Sequence, residues 1–543
     1  MKTVKYALAG VALCSSSMLF GQGVVDALKY SQQDIRGTAR YMGMAGAFGA
    51  LGGDITTLGQ NPAGIGVYRN SDIAATIDFS NQVSTVNTAG NNYSDSKFKF
   101  SCNNFGFVWT VRFNQEALKN LNFGFAYNKQ KSFDRSYRTS YANISGANSL
   151  SGYIAKLSDG ISVDNLASSN NSSFDPYDSS PWLNVLGYQS YLINPKSSNT
   201  WSSIVGSGTS ATGDLYVREK GSIDEYNFNI GGNIYDVFYW GIGVAVTDFS
   251  YDIQSGYGEN FTGGYLPDDN GSVSSANTNG WYLMQNALHT NGSGIKANLG
   301  VIMRATNNFR LGFAFHTPNY YKMTDTYSAA VKYNFDRSGT SYNDLAETPN
   351  GSYSYEFESP WRMIASAAYV FGQGGILSFD YEYTANNNMS FDDPYTIDMF
   401  YNTNNEISEM LSPVHTFKVG GEYRITPQFS ARLGYAYQTS PVKSEYRSEH
   451  EIPTAGTLTM FTLDRETNYF TVGLGYRFAN VYVDVAYMHR YRRSELFPFS
   501  PLPSGSDDLF DPGVINQALA ISPQISTLTD HNNSFALTMG VKF

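Results

Sequence analysis

The chain has 543 residues, of which 15% are aromatic and only 15% charged, and its net charge is −11. Ordinary soluble domains carry about 25% charged residues, which argues against a string of them, and an acidic chain with no basic stripe argues against a nucleic-acid partner. No apolar run beyond residue 21 offers the roughly 20 residues a spanning helix needs, so a closed β-barrel is the membrane-crossing architecture left to it.

In chain order, residues 1–21 read as a secretory signal peptide: Lys2 and Lys5 precede an apolar stretch over 6–20, and the small or polar Gly21, Gln22 and Gly23 place cleavage near Gly21. Cys14 would mark a lipoprotein signal only behind a small residue, and Leu13 stands there. Cys102 then remains alone and reads as a small strand residue, with no partner for an internal disulfide.

Residues 22–70 differ from everything after them. Nine glycines fall between Gly37 and Gly66, and no period of two is present. Glycine at this density serves tight turns and close backbone approach. Side chains alone do not fill a barrel of more than about eight strands, and this segment has the size to plug a barrel of about 14. Inside it, Asn61-Pro62 reads as a rigid turn, because Pro fixes its own φ, extends the residue before it, and leaves the Asn side chain to bond nearby backbone. The same dipeptide also reads as a hinge or lock whose rearrangement opens a path, and both readings stay open.

From about residue 71 the chain repeats one unit, some ten residues with apolar side chains at every second position and then a loop, which is the strand signal of a barrel. The clearest runs are Phe105, Phe107, Trp109, Val111; Leu121, Phe123, Phe125, Tyr127; Phe238, Trp240, Ile242, Val244, Val246; and Phe309, Leu311, Phe313, Phe315. Others begin at Leu377, Phe417, Phe429, Phe470 and Val481, and the last, from Phe535 through Leu537, Met539 and Val541, ends on Phe543. Weaker runs over 73–79, 226–230, 295–303 and 361–371 bring the expectation to about 14 strands. The interleaved positions hold Gly, Ala, Asn, Thr and nearly all strand charges, among them Arg304, Arg310, Asp380, Glu382, Lys418, Arg424, Arg432, Arg477, Asp484, Arg490 and Lys542. A soluble sandwich would reverse this economy. Turns near Asn307, Gly374, Pro427 and Asn480 are short, whereas 138–221, 385–411, 441–465 and 494–530 are long; this is the alternation of periplasmic turns with extracellular loops. The longest, 138–221, reads either as a cap on the barrel mouth or as a solvated surface loop.

Chemistry for catalysis is missing. The six histidines stand in no zinc spacing or esterase motif, and His531 next to Asn532 and Ser534 is no triad, since neighbours along a strand face opposite sides. We expect no enzyme, no metal and no cofactor. A larger plug with 22 strands would not fit this length.

The run Ala45, Gly46, Ala47, Phe48, Gly49, Ala50, Leu51, Gly52, Gly53, Asp54, followed by Gln60, Asn61, Pro62, Ala63 and Gly64, resembles the hatch of the FadL/TodX family of outer-membrane transporters for hydrophobic molecules. The resemblance implies a 14-stranded barrel with a lumenal hatch in a Gram-negative outer membrane, and a gate carried by Gly46, Phe48, Gly52, Gly53, Asp54, Asn61, Pro62 and Ala63. It also implies a hydrophobic ligand such as a long-chain fatty acid, a surround of outer-membrane lipid, and assembly by the barrel assembly machinery, which reads a final strand ending on an aromatic. Arg490 and Arg492, opposite Tyr487 and Tyr491 in their strand, should face the lumen, where they either meet a ligand carboxylate or join a salt-bridge network. Two other readings remain: a related barrel that serves as partner or shuttle for secreted proteins, and a haem receptor.

Overall fold

The computed structural model describes residues 22–114, 117–167, 174–267, 276–372, 374–448, 450–504 and 519–543. The expected signal peptide lies outside them. Fourteen antiparallel strands close into a barrel. They are β1 (Asp72–Thr88), β2 (Asn91–Arg112), β3 (Leu118–Ser132, resumed over Arg135–Ile144), β4 (Ser210–Ile234), β5 (Phe238–Tyr265), β6 (Ala276–Arg304) and β7 (Phe309–His316, resumed over Tyr320–Arg337). They continue as β8 (Gly351–Glu358 and Arg362–Phe371), β9 (Gly375–Thr384), β10 (Val414–Arg424), β11 (Phe429–Gln438), β12 (Phe461–Phe478), β13 (Val481–Phe497) and β14 (Ser526–Lys542). Each pairs with its sequence neighbours, and β1 closes on β14 from Asp72 opposite Lys542 to Asn87 opposite Thr527. Every expected strand is present, and the alternation has the expected sense: Phe107, Trp109, Phe228, Val244, Phe313, Phe379, Val472 and Met539 are exposed on the outer face.

The breaks in β7 and β8 fall at Pro318 and Pro360, on adjacent strands at one level, with His316 opposite Arg362 below and Tyr320 opposite Glu358 above. Proline offers no N–H to a ladder, so the pairing is interrupted there. Above this level the pattern inverts. In β5, Ile242, Val244 and Val246 face outward, but farther along Phe249, Tyr251, Ile253 and Tyr257 face inward and are buried. The lower barrel is dressed for lipid and the upper barrel for water.

That inversion corrects the reading of 138–221 as one loop. Its ends are strand, Arg135–Ile144 paired with the first part of β4, and their inward Tyr137, Tyr141, Leu215 and Val217 are buried. The remaining loop folds over the mouth as a cap. A helix at Leu150–Leu157 buries Leu150 and Ile154, its amino end is held by Glu259 (2.7 Å from Ser149 Oγ, 2.9 Å from Leu150 N), and Tyr153 stacks on Phe499. A second helix, Trp182–Gln189, sets Trp182 against Tyr327.

The short turns lie at the end shared by Asp72 and Phe543, except Ala89-Gly90 and Ser338-Gly339, the latter joining β7 to the paired stretch Thr340–Glu347, which stand with the long loops at the other. By the rule for such barrels the long-loop end is extracellular. In a Cys102→Ser background, a cysteine at position 504 should be labelled by a membrane-impermeant maleimide added to whole cells, and one at 427 should not; the reverse pattern inverts this orientation.

Candidate functional site

Residues 22–71 run down the lumen from the long-loop end to the short-turn end. The first piece, helix α1 as counted along the hatch (Val24–Ser31), buries Val24, Ala27, Leu28 and Tyr30. Tyr30 sits edge-on to Phe249 (4.9 Å between centroids) and Phe357 (5.5 Å), and its hydroxyl meets that of Tyr355 at 2.8 Å. The helix thus fills a slot of aromatic rings in the upper barrel, where aromatic pairs and burial together hold it.

Below the slot lies a charged belt. Asp34 accepts Arg490 (2.5 Å) and Lys131 (3.1 Å), and Arg36 approaches it at 3.9 Å. Burial opposes ionisation of Asp34, but Arg490, Lys131 and Arg36 hold its carboxyl well below the usual carboxylate range. Arg492 pairs with Asp464 (2.8 Å) and Asp530 (3.5 Å), and Arg135 pairs with Asp530 (2.9 Å). Across the lumen Glu382 binds Lys418 (2.7 Å) and Arg362 (3.1 Å), and Lys296 binds Glu225. Arg490 and Arg492 therefore face the lumen, and both are engaged in the network.

The belt encloses a cavity of about 150 Å³. Its wall carries seven cations (Arg36, Lys131, Lys296, Arg362, Lys418, Arg465, Arg492) and four anions (Asp34, Glu225, Glu382, Asp464), and Arg36, Arg465 and Arg492 also reach Asp78, Glu495 and Asp530 just beyond it. A second cavity of about 50 Å³ shares Leu28, Lys131 and Arg492 with the first and rises between Phe133, Tyr251, Leu458, Met460 and Phe461 on one side and Lys29, Asp134, Arg135 and Glu219 on the other. A half-apolar chamber and a charged one are thus joined beside α1.

The glycine-rich piece closes the lumen beneath. Gly46, Gly52 and Gly53 hold φ of +73°, +64° and +68°, which glycine adopts without strain, and Gly52 touches Gly64 so closely that no Cβ would fit. Asp54 caps the 3-10 turn Ile55–Gly59 through Thr56 N (3.0 Å) and receives the Thr38 hydroxyl. Phe48 is buried against Tyr41 with Arg40 over its ring. Asn61 donates to the Gly49 carbonyl (2.6 Å) and to Val301 O on β6 (3.4 Å), while its Oδ1 accepts Ala63 N (3.1 Å). Pro62 opens the next 3-10 turn (Pro62–Val67), and Ala63 packs on Tyr239 and Ile302. Asn61 thus ties hatch to hatch and hatch to wall.

Reading the sequence missed the wall's half of this fit. Gly241 lies under the Pro62 carbonyl, Gly300 under Asn61, Gly312 under Gly49, and Gly420 and Gly434 under Met44; a Cβ at any of them would collide. Asp380 adds a bond to Gly49 N (2.9 Å) and another to Gln60 Nε2 (3.0 Å). The signal was there as inward glycines at regular strand positions, but alternation alone does not say what a glycine makes room for.

One part of the wall is incomplete. The β2 to β3 ladder runs from Arg112 opposite Asn120 to Asn104 opposite Asn128 and stops. Above it β2 is paired only with β1, while the second piece of β3 turns inward, with Thr139 Oγ1 at 2.6 Å from Thr88 Oγ1. Side chains span the break: Lys97 to Asp134 (3.5 Å) and Arg138 to Asp95 (3.7 Å).

A sequence model of the outer membrane protein transport protein family (OMPP1/FadL/TodX) matches residues 225–497. No curated protein matches the chain in sequence. Among solved structures, that of a Pseudomonas aeruginosa FadL homologue superposes at a TM-score of 0.50 and 14% identity, covering 94% of this chain and 100% of its own. That of the P. putida toluene transporter TodX superposes at 0.51 and 11% identity, covering 94% and 99%. At such identities the likeness is one of fold.

Proposed function

Because the chain belongs to the outer membrane protein transport protein family (OMPP1/FadL/TodX), whose members are outer-membrane transporters for hydrophobic compounds rather than enzymes, we propose that its ligands are long-chain fatty acids, carried past a moving hatch. The observation that supports this choice over neutral aromatic hydrocarbons is the junction of a chamber with an aromatic side to a cavity whose wall carries seven cations. An apolar tail gains about 25 cal/mol per Å² buried, and a carboxylate beneath it finds cations already in place, with Lys131 and Arg492 at the junction. A neutral hydrocarbon has no use for them.

In this reading α1 is the ligand's competitor, since its apolar face fills the slot, and the break between β2 and β3 is a side route where the mouth is capped. Gly46, Phe48, Gly52, Gly53, Asp54, Asn61, Pro62 and Ala63 form the gate. The outer face of β14, ending at Phe543, is the segment we assign to the barrel assembly machinery.

Binding to the purified protein in a neutral detergent tests the substrate class. A hydrogen bond to a charged group is worth about 1.5–3 kcal/mol, so oleate should bind at least about tenfold more tightly than methyl oleate, and more tightly than toluene. Equal affinity for the acid and its ester would remove the fatty-acid assignment in favour of neutral compounds.

A further inference from the structure

The short-turn end of the lumen carries charge that the path above does not use. Arg112, Arg304, Arg310, Arg424, Arg477 and Lys542 occupy the inward positions nearest that end on β2, β6, β7, β10, β12 and β14. Their neighbours Val111, Met303, Leu311, Tyr423, Tyr476 and Val541 are exposed on the outer face, so alternation turns the six cations toward the exit.

The acids on this part of the inner wall are taken. Glu422 binds Arg40 (2.9 Å) and Arg432 (2.6 Å), Asp484 binds Arg432 (2.5 Å), and Asp72 lies 3.9 Å from Lys542. Among the described residues no acid lies within 4 Å of Arg304, Arg310, Arg424 or Arg477. Arg304 and Arg310 stand directly opposite one another in the β6 to β7 ladder, a placement that is destabilising for like charges. Arg304 donates to Asn307 Oδ1 (3.1 Å) and Arg310 to the hatch carbonyl of Leu51 (3.1 Å), while Arg310 Nε is buried without a hydrogen-bond partner. Two guanidinium forks facing each other without an acid suit an oxyanion, which each can grip bidentately.

We infer that this ring is an anion site at the exit of the barrel, with Arg304 and Arg310 as its clamp, and that it takes the carboxylate or phosphate head of an amphiphile. Cations meant for the surrounding leaflet would stand on the outer positions; these stand on the inner ones. The site lies beneath the hatch and does not depend on which molecule the upper cavities prefer: toluene in place of oleate above would leave the result below unchanged.

The test uses the full-length protein in neutral detergent and dodecyl phosphate as probe, followed by phosphorus NMR, with dodecanol as the uncharged competitor whose binding is read from displacement of the phosphate. Saturable binding of the phosphate and none of the alcohol is expected, weakened about tenfold or more by Arg304→Gln and abolished by Arg304→Glu. The Glu variant should also unfold at higher urea than the parent, because it replaces the like-charge opposition with an ion pair to Arg310. Unchanged affinity in both variants would overturn the site, as would binding of the alcohol as tight as that of the phosphate. In nanodiscs with and without phosphatidylglycerol, competition by that lipid would identify a leaflet headgroup as the occupant; its absence would identify a molecule arriving through the barrel.

Discussion

Cells carrying Asn61→Ala together with Pro62→Ala are expected to become sensitive to vancomycin and to take up long-chain fatty acid faster, with the barrel present at the surface in normal amounts. The substitution removes the bonds from Asn61 to Gly49 O and Val301 O and the cap on Ala63 N. Each buried group left unpaired costs about 1–3 kcal/mol, and Pro62 no longer restricts the open chain. Loss of even two such bonds raises the open population of the hatch by at least about tenfold. The ladders begin only at Asp72, so the strands have no reason to fail, and Asp380 still holds Gly49 and Gln60. Wild-type behaviour in both assays would reduce Asn61-Pro62 to an ordinary turn.

The second large effect concerns the belt. Replacing Arg490 and Arg492 by Gln leaves Asp34 with Lys131 and the more distant Arg36, takes the ion-pair partner of Asp464, and takes from Asp530 one of its two arginines. Breaking a buried pair by removing one partner is destabilising by about 3–5 kcal/mol, so the double variant should unfold at much lower urea, and its oleate affinity should fall because the cavity wall loses the cation Arg492. The pH dependence follows from Asp34, whose carboxyl is held low in the folded state by Arg490, Lys131 and Arg36 against the opposing effect of burial. Its stabilisation is present in full above the unfolded carboxylate range near about pH 4 and is lost as pH falls below it. The parent's extra stability over the variant should therefore shrink in acid. Oleate affinity that survives the double substitution in folded protein would make the two arginines purely structural.

How far the sequence carries depends on the physics behind each feature. All fourteen strands are legible because lipid accepts any apolar side chain at every second position, so a local period of two is enough. The plug is legible from Gly46, Gly52 and Gly53, whose positive φ few other residues would adopt. The upper barrel is not legible by the same rule. From Phe249 onward the apolar phase of β5 moves to the inner face, and a reader tuned to lipid sees only polar residues facing out. The same inversion hides the strands at Tyr137 and Leu215 inside a stretch rich in Ser and Asn.

What the sequence by itself determined is the class: a membrane barrel of fourteen strands and a glycine-rich segment of a size to fill it. These rest on composition and on interactions with a uniform partner, lipid or water, which every strand meets alike. Only the tertiary structure decided that Gly241, Gly300, Gly312, Gly420 and Gly434 are seats for the hatch, that Arg490 and Arg492 are already paired, and that Arg304 faces Arg310 without an acid. Apart from Arg304 and Arg310, which meet across the Asn307 turn and wait on distant chain only for the acid that does not come, each of these depends on which residue of a distant segment stands opposite, and a barrel closes over separations as long as that from Asp72 to Lys542. Register across such distances is set by the fit of many side chains at once, and no local pattern in the chain encodes it.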